Sequence, residues 1–431
     1  MKICVFGLWH LGTVTAACTA AKGHDVAGLD LDPANVSQLS TGTPPIFEPG
    51  LAELVQAGLK SGSLRFTTSP GEALKGAEVL WVTFDTPVNE NDVADVDSVV
   101  RAVSSLFGEI PDGCTVLISS QVPVGTTSRL QALFGELFPK HSVSFAYSPE
   151  NLRLGSAIKV FTEPDRIVVG ADSPRAKAAL SALLAPISAR IEWMSVASAE
   201  MVKHATNAFL AASVSFANEI ATLCEYSGAD AKEVERGLKT ESRIGPKAYL
   251  SPGAAFAGGT LARDITFLAS IAAQHEFPAH LLRAVAASNT AHKEWFHRRL
   301  CESLGGLRGK KIAVWGLTYK PGTDTLRRSS SVELCRRVAA DGSSVFAFDP
   351  AIKALPDELS PLIKLCPSPI EAVKGADALV VATEWPEFRE IPMAEAAAAM
   401  RTPIVLDPNR ALLAQWAAVP GARYLSVGKA A

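Results

Sequence analysis

Residues 2–12 read KICVFGLWHLG, and this stretch decides the fold. KICVF is a short apolar run of the kind that forms a buried β-strand, and Gly7 ends it. The small-residue segment 11–23 then predicts a helix that ends at Gly23, and HDVAGLDLD (24–32) predicts a second strand with acidic residues at its end. A strand, a helix and another strand in this order indicate a βαβ unit, which belongs to a parallel sheet.

The alternation of strands and helices continues after this unit and returns near the C-terminus. Residues 197–228 interrupt it, because they contain no helix breaker before Gly228, and a second helical stretch covers about 264–304. We therefore predict an α/β protein with two Rossmann-like domains, each a doubly wound parallel sheet, joined by a central helical region. The strand-like runs are 77–87, 114–127, 165–172 and 309–317, and the predicted domains are 1–195, 196–304 and 305–431.

The composition is that of a globular protein, with 48% hydrophobic and 20% charged residues in 431. A net charge of −3 gives no reason to expect nucleic acid or a membrane surface as a partner. The seven cysteines form no CxxC pair, which favours reduced thiols and a cytoplasmic protein. No apolar run is long enough to span a bilayer. Gly7, His10 and Gly12 interrupt the apolar N-terminus, so we do not expect a signal peptide.

The turn after the first strand carries most of a dinucleotide-binding fingerprint, G-x-G-x-x-G. In GLWHLG, Gly7 and Gly12 occupy the first and third glycine positions, and Trp9 stands at the second, where glycine normally lets the backbone approach a pyrophosphate. Asp30 ends the second strand, where a carboxylate would bind the adenosine ribose hydroxyls and repel a 2′-phosphate. The sequence therefore predicts NAD rather than NADP as the cofactor, with the Trp9 indole turned away from the phosphates.

Two polar residues of the long helix, Lys203 and Asn207, are four positions apart and share one helical face. A lysine and an amide that converge could hold a sugar hydroxyl or polarise a developing carbonyl oxygen. From spacing alone, a solvated lysine beside an ordinary polar residue is the simpler interpretation. Glu150 lies in a turn-like segment and is either an acid–base group or a helix cap. We expect no metal site.

Considered together, these segments resemble the nucleotide-sugar dehydrogenases, the group of the UDP-glucose and UDP-N-acetylmannosamine dehydrogenases, over nearly the whole chain. Order and spacing both agree, which makes the match more specific than a single glycine motif. The matching stretches are GTPPIFEPGL (42–51), SSQVPVGTT (119–127), SPENLRLGSA (148–157), DRIVVG (165–170), AEMVKHATNAFLA (199–211), RIG (243–245), FAGGTLARD (256–264), GLTYKPGTDTLRRS (316–329) and TEWPEF (383–388).

The resemblance implies an N-terminal NAD domain, a helical middle that forms a homodimer and a C-terminal domain that helps to hold a UDP-sugar. Lys203 and Asn207 are similar to the pair that stabilises oxyanions at the oxidised carbon, and Asp264 to the acid that handles protons with the lysine through an ordered water. Glu150 lies in a motif that lines the sugar-nucleotide site. The implied cofactor contacts are Gly7, Trp9, Gly12, Asp30, Thr86, Gln121 and Arg327, and the implied substrate contacts are Arg243, which could come from the partner subunit, Tyr249, Gly258 and Lys320.

Departures from the family pattern carry further information. The family has a cysteine in the glycine loop, which we align with Leu261, and that cysteine captures the aldehyde of the first oxidation so that a thioester can form. Leucine offers no nucleophile. Leu154 stands where a second glutamate is usual and Gln121 where a threonine is usual, and both family residues help to manage the water that opens the thioester. DPNR (407–410) departs from the family's D-G-R-N order, so no role is carried over to Arg410.

These losses all affect the second half of a four-electron oxidation, whereas the residues for hydride chemistry remain. We therefore expect NAD-dependent oxidation of a nucleotide sugar, similar to UDP-glucose, by a single hydride transfer, with an aldehyde, a ketone or a re-reduced epimer as the product. The alternatives are a full four-electron oxidation to a uronic acid through an aldehyde hydrate, and a pseudoenzyme that binds NAD or a UDP-sugar.

Overall fold

The predicted βαβ unit is present as a strand, β1 (Lys2–Phe6), a helix, α1 (His10–Ala21), and a second strand, β2 (Asp25–Leu29). The two strands pair in parallel along their whole length, from Lys2 opposite Asp25 to Phe6 opposite Leu29. The computed structural model describes residues 1–86, 95–257 and 259–430. Within it the chain forms two units, Met1–Ala205 and Thr206–Ala431.

The N-terminal unit contains an eight-stranded sheet. Its further strands are β3 (Leu64–Thr67), β4 (Val79–Val82), β5 (Thr115–Ile118), β6 (Ser144–Tyr147), β7 (Ile167–Ala171) and β8 (Ile191–Met194). The strand order is β3-β2-β1-β4-β5-β6-β7-β8, so the chain crosses over after β3 to the other side of β1, as a doubly wound sheet requires. All neighbouring strands are parallel except β6 and β7, which are antiparallel. The prediction of a doubly wound parallel sheet is therefore confirmed with this one exception.

Helices cover both faces of this sheet, and apolar side chains fill the two layers between them and the strands. Strands such as β4, VLWV, are buried on both faces, which explains their continuous apolar sequence. The helices after α1 are α2 (Pro33–Ser40), α3 (Leu51–Ser61), α4 (Pro70–Leu74), α5 (Val96–Ser104), α6 (Thr126–Leu137), α7 (Ala157–Thr162) and α8 (Pro174–Leu184).

The long helix predicted at 197–228 is α9 (Val196–Ser227), and the division between the two units falls within it. The stretch predicted as helical from 264 to 304 begins earlier and is divided. It forms α11 (Gly259–Gln274), α12 (His280–Lys293) and α13 (Trp295–Leu304), after a separate α10 (Ala231–Thr240). Pro278 explains the first division, because proline disfavours helical backbone in the residue before it. Glu276 and Ala279 have positive φ values at this break.

The C-terminal sheet has six strands, all parallel, in the order β11-β10-β9-β12-β13-β14. KIAVW, the first of them, corresponds to KICVF at the N-terminus in position and in topology. The elements are β9 (Lys311–Trp315), α14 (Ser330–Ala340), β10 (Ser344–Phe348), β11 (Ile363–Leu365), α15 (Pro369–Val373), β12 (Ala378–Val381), α16 (Met393–Ala399), β13 (Ile404–Leu406), α17 (Leu413–Ala417) and β14 (Arg423–Leu425).

Candidate active site

The turn between β1 and α1 has the close packing that its glycines predict. Gly7 has a φ of +95°, a conformation that favours glycine, and its N–H donates to the Leu29 carbonyl. A Cβ atom on Gly12 would overlap the Gly7 carbonyl oxygen and lie 2.7 Å from the Thr83 hydroxyl. Both positions therefore require glycine for the helix to start this close to the strand.

Asp30 is connected to this turn by hydrogen bonds. Its Oδ2 accepts from the Leu8 backbone N–H at 2.8 Å and from the Asn35 amide at 3.0 Å, and the side chain remains partly accessible. The N-cap residue of α1 is Trp9, whose side chain makes no capping hydrogen bond and is 50% exposed. Free N–H groups at a helix start bind phosphate, and an acid after the second strand suits a ribose. These residues fit NAD.

The C-terminal sheet repeats this turn without its accessible acid. Asp349 follows β10 as Asp30 follows β2, and its Oδ2 accepts from the Leu317 and Thr318 backbone N–H groups and from the Trp385 indole. Because this carboxylate is buried, its hydrogen bonds are made within the protein. The sequence similarity between the two halves therefore reflects shared strand–turn geometry and not a second dinucleotide site of the same kind.

The start of α9 carries a stripe of buried polar side chains. Glu200, Lys203, His204 and Asn207 are spaced by three or four residues, so they share one helical face. Glu200 accepts from the backbone N–H groups of Gly125 and Thr127 at 2.6 and 3.0 Å. The His204 ring contacts the Val122 carbonyl at 2.9 Å. This face of α9 thus holds the 119–127 loop as well as the predicted lysine and amide.

Lys203 contacts Glu150, which the sequence left as either an acid–base group or a cap. The Lys203 ammonium donates to the Glu150 carbonyl oxygen at 2.6 Å and to its carboxylate at 3.2 Å. The same carboxylate accepts from the Leu152 N–H at 2.8 Å. Lys203 is nearly buried, so the solvated lysine that spacing alone favoured is not what the structure contains.

Asn207 and Asp264 form a second polar pair, within the C-terminal unit. The Asn207 side-chain amide donates to the Asp264 carboxylate, and both residues are buried. Asp264 lies in the second turn of α11, and Asn207 one helical turn after Lys203 on α9. A buried carboxylate with an amide partner is suited to exchange a proton with a bound hydroxyl.

Leu261 packs as an ordinary apolar residue. It contacts the cluster formed by Ala208, Ala211, Ile265 and Val285, and Ile265 is its neighbour one turn later on α11. The corresponding neighbour of Asp264 is Thr260, four residues earlier, and Thr260 is exposed. Thr260 therefore shares a face of α11 with Asp264, whereas Leu261 packs against the apolar cluster and also lines a cavity.

None of the seven cysteines is placed as a substitute nucleophile. Six are buried, and Cys301, the partly exposed one, lies 3.9 Å from the His297 ring. Burial raises the pKa of the Cys18, Cys114 and Cys335 thiols to about 12. A thiol attacks as the thiolate, so these are structural side chains. Among the residues that the structure describes, no cluster of histidine, cysteine and carboxylate groups is suited to a metal.

Two cavities of the C-terminal unit contain predicted substrate contacts. The larger, of about 880 Å³, lies at the ends of β9 and β12, where the strand order reverses and ligands usually bind, and Lys320 lines it. The smaller, of about 420 Å³, is lined by Tyr249 and Leu261. Ala254 and Asn409 line both cavities, so the segment that precedes the glycine loop forms a wall of each.

Side-chain amides hold this wall in place. Asn289 accepts from the Phe256 N–H at 2.9 Å and donates to its carbonyl at 3.1 Å. Asn218 accepts from the Gly253 N–H at 2.9 Å, and Asn409 from the Ala254 N–H at 2.8 Å. Four backbone groups of a segment without regular secondary structure are thereby hydrogen-bonded.

The remaining predicted residues are placed as follows. The Thr86 hydroxyl donates to the Gln121 carbonyl oxygen at 2.6 Å, so these two predicted cofactor contacts are adjacent and buried. Arg243 is exposed and pairs with Glu241 at 3.0 Å. Arg327 is exposed and Leu154 partly so. Gly258 lies outside the described residues. Arg410 binds Asp230, with its two nitrogens 2.8 and 3.2 Å from the carboxylate.

Several of the polar residues that build these sites were not predicted from the sequence. Glu200 and His204 could have been found, because with Lys203 and Asn207 they complete a stripe at helical spacing. Glu48 belongs to the GTPPIFEPGL motif, yet nothing local shows that its side chain is buried. Asn218 and Asn289 have no signal at all, since each binds a segment more than 30 residues away.

Comparison with known proteins assigns each part of the chain to one family. The chain matches the three domain models of the UDP-glucose/GDP-mannose dehydrogenase family: the NAD binding domain at residues 1–188, the central domain at 197–291 and the UDP binding domain at 313–414. A UDP-glucose 6-dehydrogenase from Pseudomonas aeruginosa is 35% identical, over 100% of this chain and 98% of the relative.

Solved structures show the same similarity. A UDP-glucose dehydrogenase from Pyrobaculum islandicum superimposes with a TM-score of 0.87 at 31% identity, covering 99% of this chain and 98% of its own. A UDP-D-ManNAc dehydrogenase from Pyrococcus horikoshii has a TM-score of 0.86 at 27% identity and 99% coverage of both chains. With its NAD-binding turn, its central helices and its second sheet all matched, the chain belongs to the UDP-glucose/GDP-mannose dehydrogenase family of NAD-dependent oxidoreductases.

Proposed function

We propose that this protein oxidises a UDP-sugar similar to UDP-glucose by one hydride transfer to NAD. The carbonyl product is then released, or the hydride is returned to it from the bound NADH, which gives an epimer of the sugar. The observation that carries the proposal is a pair of polar contacts made by α9, Lys203 with Glu150 in the N-terminal unit and Asn207 with Asp264 in the C-terminal unit, together with a glycine loop whose sequence has no thiol. Bound NAD supplies the hydride acceptor. The other requirements of the step concern this chain's own residues.

Those residues can hold the hydroxyl and accept its proton. An ammonium group has three N–H donors, and Lys203 directs two of them to Glu150, so one remains for the oxygen of the reacting carbon. The Asp264 carboxylate is the proton acceptor in this proposal, directly or through a water, and Asn207 orients it. Negative charge that develops on the sugar oxygen is then stabilised by the ammonium.

The second oxidation needs covalent capture that this chain lacks. Capture of an aldehyde as a thiohemiacetal requires a thiolate, and the two candidate positions, Thr260 and Leu261, carry a hydroxyl and a hydrocarbon. A threonine hydroxyl is a far weaker nucleophile than a thiolate and has no adjacent described base other than Asp264, one turn away. The carbonyl product is therefore released before any thioester can form.

The decisive experiment counts NADH formed per UDP-sugar consumed, with UDP-glucose and N-acetylated UDP-hexosamines as substrates and NMR analysis of the products. We expect one NADH per sugar, or none with formation of an epimer. Two NADH and a uronic acid would refute the single-step proposal and support the four-electron alternative. No turnover with retained binding of NAD would indicate a pseudoenzyme.

A pair of cysteine variants locates the missing nucleophile. Thr260→Cys places a thiol one turn before Asp264, and Leu261→Cys places it in the apolar cluster. We expect a covalent adduct, detected by mass spectrometry during turnover, with Thr260→Cys only. A covalent adduct with Leu261→Cys alone would support the alignment of the family cysteine with Leu261 and contradict its assignment to Thr260.

A homodimer through α9 is part of this proposal. Phe209, Phe216 and Leu223 are 71, 49 and 59% exposed and lie seven residues apart, so they form one apolar stripe along the helix. Large apolar side chains repeated along one face of a helix usually meet a partner. A second copy of the same helix is the partner that fits the resemblance.

A further inference from the structure

Glu48, from the GTPPIFEPGL motif, is a buried carboxylate to which the proposed reaction gives no role. Its Oε1 accepts from the Ala157 backbone N–H at 2.8 Å, and its Oε2 accepts from the Gly155 N–H, also at 2.8 Å. The His10 ring lies 3.1 Å from the same Oε2. One side chain thus joins its own segment to two others, each more than 35 residues away in sequence.

The segments that Glu48 joins are the two loops on which the proposed chemistry depends within the N-terminal unit. His10 is the first residue of α1 and follows Trp9 of the NAD-binding turn. Gly155 lies in the loop that begins with Glu150, the partner of Lys203, and Ala157 is the first residue of α7, which follows this loop. Because Glu48 itself is 4% exposed, it is a fixed connection and not a surface ion pair.

We propose that Glu48 is a positioning residue that couples occupation of the NAD site to the geometry of the Glu150 loop. Trp9 does not cap the first turn of α1 with its side chain, so a bound diphosphate would order this turn, together with His10. An ordered His10 holds Glu48, and Glu48 holds residues 155–157. Binding of the coenzyme and of the sugar nucleotide therefore favour each other, and this coupling rests on the proposed function.

The test is a double-ligand titration of the full-length protein. Calorimetry gives the Kd of UDP-glucose with and without saturating NADH, and the ratio is the coupling factor. We expect a factor of at least about five in the wild type. His10→Leu removes the contact with Glu48 and should bring the factor close to one, whereas His10→Gln, which can still donate to the carboxylate, should retain most of it. Circular dichroism and thermal melting check that each variant is folded.

The outcomes separate this inference from the proposed function. A coupling factor in His10→Leu equal to that of the wild type would overturn the inference, as would equal losses in His10→Leu and His10→Gln. A wild type that binds both ligands without coupling would overturn it and leave the proposed function standing. A wild type that binds no UDP-sugar, with or without NADH, would refute the proposed function and this inference with it.

Discussion

Replacement of Lys203 by methionine tests the proposed chemistry most directly. Methionine keeps the length and most of the volume of the side chain, so the change removes the ammonium group and its bonds to Glu150. Loss of one preorganised donor to a developing oxyanion costs roughly 3–4 kcal/mol in an active site, which is a factor of 10²–10³ in rate. We therefore expect kcat, followed by NADH absorbance, to fall by about that factor.

The effect of Lys203→Met on kcat is compared with its effects on NAD binding and on the fold. None of the hydrogen bonds described above for Lys203 involves the turn that holds Gly7 and Asp30. The Kd of NADH should therefore change less than about threefold. Lys374→Met, which removes an exposed lysine near Glu371, is the matched control and should leave kcat unchanged. If Lys203→Met kept more than about a tenth of the wild-type kcat, the proposed role of the ammonium would be wrong.

Three further predictions follow from the packing. Glu200→Ala leaves the Gly125 and Thr127 N–H groups without an acceptor, so urea denaturation should show a loss of about 3 kcal/mol in unfolding free energy; a loss below about 1 kcal/mol would contradict this. Phe216→Glu should shift the protein from dimer to monomer in analytical ultracentrifugation, and Leu137→Glu, at another exposed apolar residue, should not. Burial lowers the pKa of His292 below its usual 6.5, so the folded state disfavours the protonated ring. The free energy of unfolding should then decrease as the pH falls below 6.5, by at most about 1.4 kcal/mol per pH unit, and level off below the folded pKa; an equal slope in His292→Gln would refute this.

The polar stripe of α9 shows how far sequence patterns extend. Lys203 and Asn207 were found from their spacing, and the helix itself from the absence of breakers, because helical periodicity is a property of one continuous segment. The burial of these two side chains was not predicted, since a lysine and an asparagine at this spacing also fit a solvated helical face. Tertiary contacts decide the difference, since Lys203 contacts Glu150 in the 150–157 loop and Asn207 contacts Asp264 of α11.

The glycine loop shows the opposite case, in which a motif suggested more than it could establish. The loop, the acid and the absence of a thiol are evident from FAGGTLARD. Which residue faces the ligand depends on the phase of α11, and that helix begins at Gly259, five residues before the predicted start. With this phase, Leu261 joins the apolar cluster and Thr260 shares a face with Asp264.

Two βαβ series, a central helix and an NAD-type turn could all be derived from the order of the amino acids, because strands, helices and tight turns depend on neighbours within about ten positions. The contacts that join distant segments required the folded chain. Glu48 reaches Ala157 across 109 positions, and Asn409 reaches Ala254 across 155. Such pairs leave no periodic trace, since each is selected by packing in three dimensions rather than by spacing along the chain.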